Sequence, residues 1–169
     1  MWLTVVLLHK LTIFLTSLTV FLIPLTICDV IENMKELTAL AEQGDMYGQF
    51  FLAEEYRRGV HKRFINLKKA FPLYLVSAEQ GLYRAQVMLA FCYEYGLGTD
   101  VDLDKARAMF KQAGQSEKGH GKPEEHLAML EVNGENYAEA MRWFKEAQRK
   151  GNLTVKSYIW YLERMFSKR

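Results

Sequence analysis

The segment from Gly114 to Lys122 is the part of the chain that comes nearest to a phosphate-binding loop. Such a loop has the pattern G-x-x-x-x-G-K-[ST] after an apolar strand, because its backbone amides cradle the phosphates and its lysine contacts them. Here His120 follows Gly119 in the place of that lysine, and no apolar strand precedes the segment. The pattern therefore favours a flexible connection between two structural units over a nucleotide site.

The same region contains two histidines and two glutamates, which are residue types that bind metal ions. They are His120, Glu124, Glu125 and His126. Six residues separate the histidines, so on a helix the two imidazoles would point to different faces. The spacing favours a solvated loop and the first turn of a helix, and we predict no metal site.

No motif in the sequence indicates a catalytic nucleophile. The chain lacks G-x-S-x-G, H-E-x-x-H and C-x-x-C patterns. Cys92 lies between aromatic residues in a helical pattern, which is typical of a small residue of the core or of the groove and not of a nucleophile. We therefore predict no catalytic residue, no cofactor and no enzymatic activity.

Composition indicates an ordinary globular protein. The chain has 169 residues, of which 50% are hydrophobic and 25% are charged, and this excludes a disordered acidic tail and a polytopic membrane protein. The net charge is +2, which gives no reason to expect a nucleic-acid partner. Two cysteines cannot form a disulfide framework, and a chain of this length buries enough surface without one.

Residues 1–28 form the segment that can meet a membrane. The run from Leu11 to Cys28 carries no charge and follows Lys10. Three interpretations remain open: a cleaved signal peptide, an uncleaved membrane anchor, and a true start at Met34. The first two predict a periplasmic, secreted or membrane-anchored protein, and the third predicts a cytoplasmic one.

The chain after residue 28 repeats itself. GDMYGQFFLAEEYRRG begins at Gly44, and GLYRAQVMLAFCYEYG begins 37 residues later at Gly81. The second halves of the units also recur, and they end at Gly81, Gly114 and Gly151. A fixed period of this length is typical of solenoids built from stacked supersecondary units.

Each half of a unit has the period of an amphipathic helix. In the second unit Ala85, Leu89 and Tyr93 fall on one stripe of a helix with 3.6 residues per turn. Pro72 lies inside a second-helix pattern, so we expect a late start or a kink there. We predict an all-α fold for residues 29–169, an α/α superhelical solenoid of about three helix-turn-helix units with half-units at both ends. The predicted units are 44–80, 81–118 and 119–150, followed by a capping helix at 151–167.

The signature A-Q-x-x-L-A-x-x-Y-x-x-G runs from Ala85 to Gly96 and is followed by Gly98 and by D-K-A at Asp104 to Ala106. The related G-Q-x-x-L-A-x-x-Y-x-x-G runs from Gly48 to Gly59. The chain thus resembles the Sel-one-like repeat family, whose members are tetratricopeptide-like α/α solenoids. The resemblance implies a scaffold or adaptor for other proteins, without catalytic activity.

The first helices of such units line a concave groove, and the stripe opposite their core stripe should face it. This stripe is rich in aromatic and methionine side chains, which dominate binding energy when a partner covers them. Phe51, Met88 and Phe91 are predicted to form an exposed apolar strip. The full set of predicted groove residues is Tyr47, Phe51, Glu54, Arg58, Arg84, Met88, Phe91, Tyr95, Tyr158 and Tyr161.

A basic cluster lies between the two helices of the first unit, and it is either a solvated loop or a surface for an acidic partner. Its residues are Arg57, Lys62, Arg63, Lys68 and Lys69. The leading functional prediction is a non-enzymatic adaptor whose groove binds a peptide or protein segment. The alternative is an accessory subunit or inhibitor of an envelope or cell-wall enzyme that docks through this basic edge. The oligomeric state is left open.

Overall fold

The computed structural model describes residues 32–59, 65–116 and 119–166. Within these ranges the chain forms eight α-helices, one 3₁₀-helix and no strand. The helices are α1 over residues 32–42, α2 (Met46–Arg58), α3 (Leu67–Glu79), α4 (Tyr83–Tyr95), α5 (Leu103–Gly114), α6 (Lys122–Asn133), α7 (Tyr137–Arg149), the 3₁₀-helix Leu153–Val155 and α8 (Lys156–Phe166).

Each helix packs against its neighbours in the chain, which gives the predicted all-α solenoid of stacked helix pairs. Residues 1–28 lie outside the described ranges, so a signal peptide or anchor stays a prediction, as does export. None of the described helices has the length and apolar character needed to cross a bilayer.

Polar side chains set the starts of three helices. Asp45 accepts a hydrogen bond from the Gly48 amide at 2.6 Å at the start of α2. Asp102 accepts from the Lys105 amide at 3.0 Å at the start of α5. Asn66 accepts from the Lys69 amide at 3.1 Å at the start of α3. Each cap satisfies an amide that has no partner within the helix.

The predicted late start at Pro72 is wrong. Helix α3 begins at Leu67 and continues through Pro72. The proline removes one backbone hydrogen bond, whose acceptor would be the carbonyl of Lys68. Both residues are exposed, so water can reach that part of the helix. Asn66 fixes the start, and burial of Tyr74, two residues after Pro72, holds the helix in place.

Consecutive helices run antiparallel, so the first helices of successive units are parallel. The Ser77 hydroxyl near the end of α3 donates to the carbonyl of Met46 at the start of α2, at 2.7 Å. At the other end of α3, a Cβ at Gly98 would lie 2.2 Å from the carbonyl oxygen of Leu67. Gly98 has φ +82° and lies just after α4, so the close approach of these units requires a glycine there.

The core is divided along the solenoid into three clusters, one at each set of stacked helices. Alanines at the helix crossings are fully buried, among them Ala53, Ala90 and Ala128. Their small side chains let the helices approach closely, and Phe110 and Phe144 fill the volume between them.

Cys92 belongs to this core, as predicted, and is 2% exposed. Burial raises the pKa of its thiol to about 11. Because the thiolate is the reactive form, Cys92 of the folded protein should resist alkylation at pH 8, with a thiolate fraction about one hundredth of that of an ordinary thiol. Mass spectrometry of the Cys92 peptide before and after urea denaturation would test this. Equal labelling in both states would contradict the burial.

Candidate binding groove

A groove with a volume of about 930 Å³ is lined by α2, α4 and the segment that leads into α6. Its lining includes Tyr47 and Phe51, which are 50% and 45% exposed, and the half-buried Met88. It also includes Arg58 and Arg84, both exposed. The structure therefore brings six of the predicted groove residues together. The sixth, Glu54, differs from the prediction in its environment.

Glu54 is buried, with 6% of its surface exposed, and does not present a free carboxylate to the groove. Its Oε1 accepts hydrogen bonds from the Tyr74 hydroxyl at 2.5 Å and from Arg57 Nε at 3.0 Å. Its Oε2 is 2.8 Å from Arg57 Nη2 and 2.9 Å from Arg58 Nη2. The helical stripe placed Glu54 correctly in the lining of the groove. Its hydrogen bonds and ion pairs with these three partners hold the carboxylate in a buried position.

The cluster around Glu54 fixes the charges of its members. Burial raises the pKa of the Glu54 carboxyl, but the hydrogen bonds from Arg57 and Tyr74, with the charges of Arg57 and Arg58, outweigh it and lower the pKa. Burial and the hydrogen bond to Glu54 raise the pKa of Tyr74 well above its ordinary value. Tyr74 therefore remains a phenol that donates to an ionised carboxylate.

Phe91 is half-buried and is not part of an exposed strip, contrary to the prediction. Its ring meets Phe110 edge to face at 5.4 Å and His126 at 4.8 Å. Tyr95 stacks on Phe91 at 6.1 Å between ring centroids and is 61% exposed. Phe91 lies where α4, α5 and α6 meet, so neighbouring helices cover a face that one helix alone would leave open.

His126 was predicted to lie in a solvated first turn, and this is wrong. The residue is half-buried, and its ring stacks on Phe110 at 5.6 Å with an angle of 24°. His126 directly precedes Leu127-Ala128, as Phe51 and Met88 precede the Leu-Ala pairs of their own units. The position before the Leu-Ala pair was predicted to face the concave side in the first two units. The same rule in the third unit would have placed His126 there.

Tyr158 and Tyr161 lie on α8, outside the groove formed by α2 and α4. Tyr158 stacks on Phe144 at 5.2 Å, with the rings within 6° of parallel. Tyr161 is 59% exposed. Tyr158 occupies the same column of the repeat as His126, and each covers the buried phenylalanine of the preceding second helix.

A family model for the Sel1 repeat matches residues 47–82, 84–117 and 127–152, which together make up more than half of the chain. The chain belongs to the Sel1 repeat family. Proteins of this family generally act as scaffolds for protein–protein interaction and are generally non-catalytic. The helix pairs α2/α3, α4/α5 and α6/α7 correspond to the three matched Sel1 repeats.

Two solved structures show the same fold. One is c5321, a protective antigen present in uropathogenic Escherichia coli strains that displays an SLR fold, with a TM-score of 0.66 and 24% identity. The other is a Sel1 repeat protein from Oxalobacter formigenes, with a TM-score of 0.61 and 27% identity. The matches cover 76% and 78% of this chain, but only 28% and 54% of those proteins. No curated protein matches this chain.

The basic edge of the first Sel1 repeat is only partly in the described residues. Arg57 is bound to Glu54, and the Lys69 ammonium lies 5.3 Å from the centroid of the Tyr56 ring. Lys68 is exposed beside a separate cleft of about 820 Å³, on the side of Gly96 and Gly98. Lys62 and Arg63 lie outside the described ranges. The structure thus does not place these five residues on one surface.

Glu124 and Glu125, in the first turn of α6, bind residues that follow α7 and are not solvated, contrary to the prediction. Glu124 is buried and pairs with Lys150 at 2.9 Å. Glu125 accepts from Asn152 Nδ2 at 2.7 Å, and the Thr154 hydroxyl lies 3.3 Å from its other oxygen. In the described part of the chain no group of histidine, cysteine and acidic side chains is arranged to hold a metal ion.

The half-buried position of His126 predicts a dependence of stability on pH. Desolvation lowers the pKa of its imidazole below the ordinary value of 6.5; Glu125 opposes this shift and Lys122 adds to it. Well above pH 6.5 the imidazole is neutral in both the folded and the unfolded protein. Below pH 6.5 the unfolded chain takes up the proton more readily than the folded protein does. The free energy of unfolding should therefore fall as the pH drops from 7 to 5.

Urea unfolding of the wild type and of His126→Phe over this pH range would measure the effect. His126→Phe should flatten the slope, because it removes the titrating group and keeps the ring. His120→Gln alters an exposed histidine and should leave the slope in place. An unchanged slope in His126→Phe would contradict the assignment.

Proposed function

We propose that this Sel1 repeat protein is an interaction scaffold that binds a peptide or protein segment in the groove between α2 and α4. The observation that carries the proposal is the exposure of Tyr47 and Phe51 beside the half-buried Met88 in a groove of about 930 Å³. Exposed apolar surface rimmed by polar groups is typical of protein-binding sites. Aromatic side chains in such positions supply much of the binding energy when a partner excludes water from them.

The polar groups of the groove fit binding better than catalysis. Both oxygens of Glu54 are held by Tyr74, Arg57 and Arg58. A general base needs a free lone pair within reach of the substrate proton. We infer that the groove serves recognition and that the chain is not itself an enzyme.

Phe51→Ser should reduce capture of the partner by about tenfold or more, since truncating one central aromatic residue typically costs 2 kcal/mol or above. The loss of stability should be at most about 1 kcal/mol, because nearly half of the ring is already exposed. Capture from extracts of the source cells and thermal melting would be measured in parallel on the full chain. Val76→Ser is the matched control, because Val76 is 43% exposed but lies on α3, away from the groove lining.

A protein that binds wild type and Val76→Ser equally, but not Phe51→Ser, would support the groove. If Phe51→Ser retains capture while Lys62→Glu with Arg63→Glu abolishes it, the basic edge is the binding surface and the groove proposal fails. Phe91 is unsuitable as a groove probe, because its contacts with Phe110 and His126 make its removal a test of packing.

A further inference from the structure

We propose that the groove binds an acidic segment, one that carries apolar side chains between two carboxylates; this rests on the groove being the binding surface proposed above. Three cationic side chains line the groove, Arg58, Arg84 and Lys122, against two acidic ones, Glu54 and Glu55. The excess of cations over carboxylates is only one when the lining residues are counted. The excess becomes larger when Glu54, whose charge is already neutralised by Arg57, is left out of the count.

Glu54 contributes no free negative charge to the groove. It is shared by two guanidinium groups, at 2.8 Å from Arg57 and 2.9 Å from Arg58. Arg57, which does not line the groove, can neutralise Glu54, so the charges that this end presents to the groove are those of Arg58 and Glu55. The Arg58 side chain is 65% exposed, so part of its guanidinium remains open to a carboxylate from a partner.

Arg84 provides a second positive charge at the other end. It is exposed, and among the described residues no carboxylate lies within ion-pair distance of it. Lys122 adds to this end, although its ammonium is 3.2 Å from Glu125. Glu125 is in turn engaged by Asn152. Arg84 is therefore the groove cation whose side chain is most free to bind a carboxylate of a partner.

Along the helix axis, the two ends are separated by a distance that a short peptide can span. Helices α2 and α4 are parallel, and Arg84 aligns with Tyr47 in the repeat. Arg58 lies eleven residues after Tyr47, or about 16 Å along the helix axis. The Arg58 side chain reaches back one turn to Glu54, so its charge lies at the level of Glu54 on α2. Along the helix axis, this level is about 11 Å from the level of Tyr47 and Arg84. An extended chain covers that distance in about three to four residues.

The apolar floor lies between those two levels. Phe51 and Met88 are four residues after Tyr47 and Arg84, respectively, so they face the middle of the span. A segment with two carboxylates three to four residues apart would place the side chains between them against this floor. Apolar side chains there would bury the exposed ring of Phe51.

The test is a selection of displayed random twelve-residue peptides on the immobilised full chain. Enriched peptides should carry pairs of Asp or Glu three to four residues apart with apolar residues between them. For one such peptide, Arg84→Ala should weaken binding by about tenfold, the usual effect of losing a hydrogen bond between charged groups. Higher ionic strength should weaken binding to the wild type as well.

Two controls isolate the charge contact. Lys156→Ala removes an exposed cation on α8 and should change binding by less than about twofold. A peptide with Gln in place of the acidic residue should bind the wild type about tenfold more weakly. Arg84→Ala should then cost this neutral peptide almost nothing, because the contact is already absent.

Other outcomes separate the two proposals. Enrichment of neutral or basic peptides whose binding is lost in Phe51→Ser would overturn the acidic class and leave the groove as the binding surface. If no selected peptide depends on Phe51 or Arg84, both proposals fail. Self-association of the full chain that Arg84→Ala abolishes in sedimentation would assign the groove to a second copy and overturn the proposal.

Discussion

Lys150→Ala is expected to lower the free energy of unfolding by about 3–5 kcal/mol, the loss typical when one partner of a buried ion pair is removed. The Lys150 ammonium is 2.9 Å from Glu124 Oε1 and also donates to the carbonyl of Gly114. The Lys150 and Glu124 side chains are 10% and 4% exposed. Without the lysine, Glu124 would remain as an uncompensated charge between three helices.

The same geometry explains why the pair affects the whole solenoid. Lys150 follows α7, Glu124 lies in the first turn of α6, and Gly114 ends α5. A Cβ at position 114 would lie 2.6 Å from Glu124 Oε1, so the glycine leaves room for this carboxylate. The pair therefore joins the second and third repeats, and urea unfolding of Lys150→Ala should show the loss as a lower midpoint.

Lys145→Ala is the matched control, because it removes a lysine from α7 whose pair with Glu163 is exposed and 3.5 Å long. Its effect should stay within about 0.5 kcal/mol. The double variant Glu124→Leu with Lys150→Met should recover most of the lost stability, since apolar replacements of a buried pair are often neutral. Among the described residues, Glu124 Oε2 has no hydrogen-bond partner, which favours this recovery. Equal unfolding midpoints for Lys150→Ala and Lys145→Ala would show that removal of Lys150 does not leave Glu124 as a destabilising buried charge.

Phe110→Ala is expected to destabilise the protein by about 3–5 kcal/mol through lost apolar burial and a cavity. Phe110 is 1% exposed, and its ring contacts both Phe91 and His126. The cavity would open where three helices meet. Thermal and urea unfolding would measure the loss.

Phe166→Ala tests the same substitution at a site that is 44% exposed at the end of α8. It should cost less than about 1 kcal/mol, because a ring already open to water loses little transfer free energy. Phe110→Leu, which keeps most of the volume, should lie between the two. If Phe110→Ala unfolds at the same midpoint as Phe166→Ala, the aromatic cluster is not a packed part of the core.

The helical repeats could be predicted from the sequence because their determinants are local. The stripe of Ala85, Leu89 and Tyr93 selects a helix, and Gly96 ends it with a positive φ. The recurrence of this pattern after 37 residues is enough to predict stacked pairs. The all-α solenoid was predicted on these grounds and is confirmed.

The environment of individual groove residues could not be predicted in this way. Periodicity places a residue on a face of one helix, but it does not show which side chains from other helices reach that face. Glu54 was predicted to face the groove, and a hydrogen bond from Tyr74 of α3 helps to hold its carboxylate in a buried position. His126 was expected in water, and Phe110 from α5 covers it.

The helices, their pairing and the column of the repeat that faces the groove follow from patterns within one unit, so they could be predicted without the structure. Which charges of the groove remain free depends on contacts between helices. A polar side chain is stable in a buried position when hydrogen bonds and opposite charges replace its water. For Glu54 and Glu124 those partners come partly or wholly from outside their own helix. Arg84 has no such partner among the described residues, so its charge remains exposed in the groove.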